Sequence, residues 1–393
     1  MVRRERRQNR AGKSRVRRRA PDIPDALPRS GGGVPEACRR SAVTRDDLET
    51  PALIIDLELM EANLERMAAF FREGPVKLRP HFKNHKCPDL AWRQLDAGAI
   101  GITCATIREA ECLIHHGFRS VLLANEIVDG AKINRCVNLA RRAEVIVCID
   151  NEKIAAELAR AARNRHTQLS VLADVDTGLH RCGVPPGEPA IRLARAAAEL
   201  GLRFRGLMGY EGHVLRKPPG PEKAAAVAAA MQPLMETKAC IELTGMPVEI
   251  VSVGGTGTYS LSGRYPGVTE IQAGSYLLMD TDYRQCCADF TPALTLLTTV
   301  ISKTDGERVV TDAGLKALSC ERGVPAVKDL PGLRTRRLTA EHAIIDLADA
   351  SAPVQVGDRI EMWVHYSDAT VSLHERIYAM RGGRVEAILR PEG

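Results

Sequence analysis

Two short stretches carry residue types that could act together on one small molecule. The run His81-Phe82-Lys83-Asn84-His85-Lys86 holds a lysine directly after the apolar, strand-like segment Val76–Pro80. Far downstream, the glycine turn Gly254-Gly255-Thr256-Gly257-Thr258 follows a second such segment, Val248–Val253. Backbone N–H groups of a glycine turn can cradle a phosphate dianion, and a lysine amine can form an imine with an aldehyde. Together they imply a phosphorylated aldehyde held covalently. Taken singly, each has a plainer reading, a glycine turn closing a strand or a basic surface turn. Their positions at the tops of strands favour the chemical one.

The elements needed to bring them together can be read from the apolar rhythm. Pro51–Asp56 predicts a strand leading into an amphipathic helix over Leu57–Arg72, with Leu59, Ala62, Leu64, Met67 and Phe70-Phe71 as its inward stripe. Eight apolar runs follow, each succeeded by a helical or glycine-rich segment: Val76–Pro80, Ile100–Cys104, Ser120–Ala124, Glu144–Ile149, Gln168–Val175, Phe204–Gly209, Val248–Val253 and Glu270–Ala273. Eight such beats predict an α/β fold, a (β/α)8 TIM-type barrel. A doubly wound open sheet is the competitor, and the absence of an early Gly-x-Gly-x-x-Gly counts against it.

In such a barrel the reactive groups gather where strands end. Lys83, flanked by Arg79 and Lys86, ends the first run, and Asp176-Thr177-Gly178-Leu179-His180-Arg181 the fifth. Tyr210-Glu211-Gly212-His213 ends the sixth, Gly254–Thr258 the seventh and Gln272-Ala273-Gly274-Ser275-Tyr276 the eighth. The last two positions are this fold's habitual phosphate site. His81, His85 and His213 are each open to a structural reading as hydrogen-bonded histidines; His213 could instead supply a base. Past Asp280 the pattern turns β-rich, in Thr291–Ile301, Arg308–Val310, Arg337–Ile345, Arg359–His365 and His374–Met380. The expected organisation is a leader over 1–46, a barrel over 47–285 and a C-terminal β domain over 286–393.

Composition narrows the partners. The 393 residues carry a formal charge of +6, but residues 1–45 hold 14 Lys and Arg against 4 Asp and Glu, so the remainder is mildly acidic. That Arg-rich leader lacks hydrophobic periodicity and predicts disorder; a solvated tail or an over-extended reading frame is favoured over contact with nucleic acid or an anionic surface. No nucleic-acid partner is expected, and no apolar stretch of about 18 residues predicts a membrane span. The 11 cysteines are scattered without Cys-x-x-Cys spacing, which suggests a reduced, cytoplasmic protein.

The motifs also carry a resemblance. Arg79-Pro80-His81-Phe82-Lys83-Asn84-His85-Lys86 resembles the cofactor-lysine motif of the D-threonine aldolase and D-serine dehydratase family, a branch of the alanine-racemase-like (fold type III) pyridoxal-phosphate enzymes. Asp176-Thr177-Gly178-Leu179-His180-Arg181-Cys182-Gly183 is similar to its arginine loop, and Gly254-Gly255-Thr256-Gly257-Thr258-Tyr259 to its phosphate loop. Thr311-Asp312-Ala313-Gly314-Leu315-Lys316-Ala317-Leu318-Ser319 resembles a signature of its β domain, so the likeness runs from about residue 49 to the C-terminus.

The resemblance implies that Lys83 carries pyridoxal 5'-phosphate as a Schiff base, that Arg181 lies by its phenolic oxygen and that Gln272 faces the pyridine nitrogen. A neutral partner there limits how far the ring drains charge from Cα, so electrophilic help from a metal is expected. His81, Tyr210, Gly254, Gly255, Thr256, Gly257, Gly274 and Ser275 complete the expected cofactor set. The family's metal pair is His-x-Asp or His-x-Cys, whereas His365 and Asp368 stand three apart here, so sharing one ion requires a bulge or turn at Tyr366-Ser367. An aspartate ligand favours Mn²⁺ or Mg²⁺ over Zn²⁺. The implied activity is cleavage of a D-configured β-hydroxy-α-amino acid to glycine and an aldehyde, with Lys83 and His213 as catalytic residues and a homodimer as the working unit. A D-serine or D-3-hydroxyaspartate dehydratase is the alternative, and a racemase a weaker third. Ala105 and Ala369 depart from the family's usual glutamine and proline.

Overall fold

The computed structural model describes residues 25–27, 43–303, 306–349 and 352–393. Most of the leader therefore lies outside the described residues. Strand β1 (Ala52–Asp56) runs into helix α1 (Leu57–Phe71), where the Asp56 side chain accepts the Leu59 amide at 3.1 Å and starts the first turn. The buried face of α1 is Leu57, Met60, Asn63, Met67, Ala68 and Phe71, rotated from the expected stripe, with Ala62 exposed. The rotation follows from Asn63, whose amide holds the Leu277 and Thr291 carbonyls at 3.2 and 2.7 Å beneath the helix.

All eight expected runs form parallel strands: β2 (Lys77–Leu78), β3 (Ile102–Cys104), β4 (Ser120–Leu123), β5 (Glu144–Ile149), β6 (Ser170–Val175), β7 (Arg203–Gly209), β8 (Ile250–Val253) and β9 (Glu270–Ile271). They pair in the order β2-β9-β8-β7-β6-β5-β4-β3. The two edges meet through a His81–Thr103 bridge and the bonds Ile100 N–H to Leu78 O and Thr103 N–H to Pro80 O. The sheet thus curls into a barrel rather than an open sheet. Strand β6 is buried at every residue, as a parallel strand covered on both faces must be. Leu122, Ile146, Cys148, Leu172, Met208 and Ile250 form a compact cluster from β4 to β8. Gly206 in β7 has φ +146°, and a Cβ there would lie 1.9 Å from the Ile250 carbonyl oxygen, so only glycine lets β7 and β8 close up.

Around the barrel run α2 (Pro88–Asp96), α3 (Ile107–His115), α4 (Gly130–Ala140), α5 (Glu152–Asn164), α6 (Glu188–Glu199), α7 (Pro221–Leu243) and the short α8 (Tyr259–Ser262). Helix α5 is typical: Asn151 accepts the Lys153 and Ile154 amides, and Ala155, Leu158, Ala159 and Ala162 recur at helical spacing on its inner face. Among the described residues no helix is long and apolar enough to cross a membrane.

The second sheet contains β10 (Leu294–Ser302), β11 (Arg308–Thr311), β12 (Leu333–Leu338), β13 (Ala343–Leu347), β14 (Arg359–Trp363), β15 (Ile377–Arg381) and β16 (Arg384–Leu389). Its order is β12-β13-β11-β10-β1-β15-β16, with β14 on β10. Strand β1 sits inside this sheet, antiparallel to β10 (Leu53 opposite Leu296) and parallel to β15 (Ile55 opposite Ala379). The β domain is therefore assembled from both ends of the chain, and a boundary at residue 286 assigns β1 to the wrong body. Between β14 and β15 lies a short helix, α9 (Ser367–Val371).

Candidate active site

The ends of the barrel strands surround a cavity of about 280 Å³. Ten expected residues line it: His81, Lys83, Arg181, Tyr210, Gly254, Gly255, Thr256, Gln272, Gly274 and Ser275. Gly257 lies one residue beyond the lining. His213 does not line the cavity; it is exposed on a 3-10 turn, with its ring against Gly178. His365 and Asp368 stand outside the lining on the β-domain side.

The glycine side is fastened from below. Glu211 is fully buried and accepts three hydrogen bonds, from Gly254 N–H at 3.1 Å, Thr258 Oγ1 at 2.7 Å and Ser262 Oγ at 2.5 Å. Gly254 has φ +80°, and a Cβ there would meet Ile271 at 2.9 Å. Thr256 Oγ1 accepts the Tyr276 amide at 3.0 Å, joining the turns after β8 and β9. Gln272 donates to Ser252 Oγ at 2.8 Å, which fixes its amide.

Arg181 projects from a loop held by Asp176, whose carboxylate accepts the Gly178 and His180 amides at 2.9 and 3.0 Å. Burial opposes ionisation of Asp176, but these bonds outweigh it and hold its pKa below the ordinary value. The Arg181 guanidinium lies 5.3 Å from the centre of the Tyr210 ring, a cation–π contact. Burial, then the charge of Glu211, pushes the Tyr210 phenol above its usual range, so it stays protonated.

The lysine turn is a 3-10 segment, Phe82–Asn84, capped by His81, whose Nδ1 accepts the Lys83 amide at 3.4 Å. Burial, then Lys83 and Arg181, depress the His81 imidazole well below its ordinary pKa, so it is neutral. Arg79, expected as a cation beside Lys83, points elsewhere. It is buried against Glu270, with Nε 3.0 Å from both carboxylate oxygens, and its charge is spent there. The partner of Lys83 is Asp368, with Nζ to Oδ2 at 3.7 Å. Asn84 Nδ2 donates to Asp368 Oδ1 at 2.6 Å and Ser367 Oγ at 2.8 Å. Ser367 in turn donates through N–H and Oγ to Asp280 at 2.8 and 2.7 Å.

The two expected metal ligands border this network. The segment after β14 is a helix, not a bulged strand, and His365 is committed at both ring nitrogens: Nδ1 to Thr281 Oγ1 at 2.7 Å and Nε2 to Arg322 O at 3.1 Å. As folded, His365 and Asp368 have separate partners. Sequence reasoning missed Asn84 and Glu211 as organisers; both sit inside motifs singled out for their neighbours. Burial, then the neighbouring Glu126 carboxyl, raises Asp174 above the carboxylate range.

Residues 55–282 match the alanine racemase N-terminal domain, and residues 293–380 a serine dehydratase domain. The chain is 35% identical over 346 residues to a D-threonine aldolase of Arthrobacter sp, covering 87% of this chain and 91% of that protein. It is 32% identical over 354 residues to a 3-hydroxy-D-aspartate aldolase of Paracoccus denitrificans, with the same coverage of 87% and 91%. A crystal structure of D-threonine aldolase from Filomicrobium marinum superposes with a TM-score of 0.87 at 35% identity, covering 90% of this chain and 97% of the other. A D-threo-3-hydroxyaspartate dehydratase from Delftia sp. follows at TM-score 0.80 and 30% identity, covering 89% and 99%.

Proposed function

The chain belongs to the alanine-racemase-like (fold type III) pyridoxal-phosphate enzymes, and from that premise we infer that it is a lyase cleaving D-β-hydroxy-α-amino acids of D-threonine or 3-hydroxyaspartate type into glycine and an aldehyde. The observation that carries this reading is one cavity lined by both Lys83 and the glycine turns of β8 and β9. Those residues fit the cofactor: an amine for its aldehyde, and a close-backbone cradle for its phosphate at the strand ends where this fold binds phosphate.

In this proposal Gly254, Gly255, Thr256, Gly257, Gly274 and Ser275 hold the phosphate, Gln272 the ring nitrogen and Arg181 the phenolic oxygen, with Tyr210 and His81 beside them. When bound, pyridoxal phosphate supplies an electron sink for charge at the substrate Cα. The chain's own residues do the rest. Lys83 would hold the cofactor through Nζ, and the same amine, when free, can carry a proton. Asp368 holds that amine by charge, and Asn84 orients Asp368. Neutral Tyr210 and neutral His81 limit the positive charge near Arg181. His213, outside the cavity lining with its ring against Gly178, is the proposed base for the β-hydroxyl.

The expected ion is a different matter. With His365 engaged at both nitrogens and Asp368 taken by Lys83 and Asn84, the pair as folded does not fit a metal. A homodimer and a cytoplasmic location belong to the same proposal, supported by the family resemblance and by ten free cysteines among the described residues.

The Delftia relative keeps a dehydratase as the second reading. One experiment separates the two. Purified protein with added pyridoxal phosphate, assayed with and without Mn²⁺, is given D-threonine, L-threonine, D-serine and D-threo-3-hydroxyaspartate, and products are identified by mass spectrometry. Glycine with an aldehyde from the D-threonine arm is expected. Ammonia with a 2-oxo acid would establish the dehydratase instead, and no product together with no borohydride-trapped adduct on Lys83 would sink both.

A further inference from the structure

Outside the cavity's lining, Cys112 and His116 stand one helical turn apart at the C-terminal end of α3 and meet Glu392, from the segment that follows β16. Their thiol, imidazole and carboxylate ligand atoms all lie within 4.8 Å of one another. We propose that Cys112, His116 and Glu392 form a binding site for a divalent cation of borderline softness, Zn²⁺ in preference to Mg²⁺ or Ca²⁺, which clips the segment after β16 onto α3.

Three observations carry the assignment. Residues four apart on a helix share a face, so α3 presents its sulfur and nitrogen together. The third ligand comes from far along the chain and is delivered by its backbone: Glu392 N–H donates to the Lys86 carbonyl at 2.7 Å, and Gly393 lies close to Phe82 and Glu109. The Glu392 oxygen Oε2 is the meeting point, 3.6 Å from Cys112 Sγ and 3.1 Å from His116 Nε2. Sulfur, nitrogen and oxygen in one set suit zinc, whereas Mg²⁺ and Ca²⁺ take oxygen ligands. Three protein ligands leave a fourth position for water, and a hollow of about 110 Å³ lined by Asp89, Trp92 and His116 lies beside it. Trp92 Nε1 donates to the His116 carbonyl at 3.3 Å and fixes the backbone of that ligand.

Binding replaces two hydrogen bonds to Glu392 by three metal–ligand bonds. Cys112 gives its thiol proton to solvent as the metal–sulfur bond forms, and His116 binds as the neutral imidazole. Because Glu392 is bonded to Lys86, three residues past Lys83, occupancy also restrains the turn that carries Lys83. The ion is then a brace for the lysine turn, remote from the substrate.

The test uses the full chain loaded with pyridoxal phosphate, stripped of metal and titrated with Co²⁺ or Zn²⁺. A single tightly bound equivalent is expected, with a sulfur-to-cobalt charge-transfer band that Cys112→Ser abolishes and His116→Ala or Glu392→Gln weakens at least tenfold in affinity. A wild-type protein without the band, or a Cys112→Ser protein that keeps it, overturns the proposal. Glu392 is 44% exposed, so Glu392→Gln folds and remains decisive even where another variant does not. The outcome is independent of the lyase reading: His365 and Asp368 contain no sulfur, and the band is read without substrate.

Discussion

The glycine turn and the lysine turn border one cavity, yet the first is fastened from inside the barrel and the second leans on the other domain. Gly254, Thr258 and Ser262 all donate to a single carboxylate, Glu211, with no exposure to water. Lys83 is 45% exposed, and its partner Asp368 belongs to α9 of the β domain, reached through Asn84 and Ser367. The glycine end is thus set before anything binds. The lysine end depends on how two domains meet, which suits the proposal that Lys83 holds its cofactor reversibly.

Breaking the lysine side at its centre has the largest expected effect. Lys83→Ala should remove the borohydride-trapped adduct and lower turnover at least about a thousandfold, the scale seen when a group doing the chemistry is deleted. An adduct that persists on another lysine would dissolve the comparison altogether. Next comes Glu211→Gln, which turns one acceptor into a donor facing donors. It should cost about 3 kcal/mol in denaturant unfolding and roughly a hundredfold in cofactor retention. An unchanged cofactor titration would mean that the cradle does not depend on its buried pin.

The lysine turn has one rigid point, its rear. His85 is fully buried, accepts the Cys87 amide through Nδ1 at 3.0 Å and bonds Gln94 through Nε2 at 3.2 Å. Burial holds its pKa at about 4, below the ordinary 6.5. Between these values the unfolded chain takes up a proton that the folded chain refuses, so stability is lost as pH falls from 6.5 towards 4. The loss from pH 6.5 to 5 should be about 2 kcal/mol. Urea titrations at the two pH values measure it, and His85→Gln should flatten the difference. The smallest effect on stability belongs to Asp368→Asn. Its ion pair with a half-exposed lysine is worth under about 1 kcal/mol, so melting should barely move while turnover falls. A large loss of stability with unaltered turnover would reverse the roles assigned to the two sides.

The same contrast explains what the sequence made legible. Parallel strands buried on both faces read as apolar runs, and each run hands its chemistry to the residue that follows, so the eight strands and ten of the cavity's lining residues could be found from spacing. Long-range contacts leave no such trace. Glu211 follows Tyr210 in an obvious motif, but its partners Gly254, Thr258 and Ser262 give no local sign of it. Helix α9 spans five residues, too few for a periodicity, and lies between the β-rich runs Arg359–His365 and His374–Met380. Arg79 looked like a neighbour of Lys83 because it is close in sequence, whereas its partner Glu270 arrives on the last barrel strand.

Strand β1 has the widest consequence. Its hydrogen-bonding neighbours are β10 and β15, the latter reaching Arg381 of a 393-residue chain. During synthesis β1 must wait unpaired until β10 has emerged, and one of its edges stays open until β15 follows, a topology that slows folding and exposes a sticky edge meanwhile. A gene fragment cut after the barrel would leave that ribbon permanently unmatched, and aggregation is the fate to expect of it.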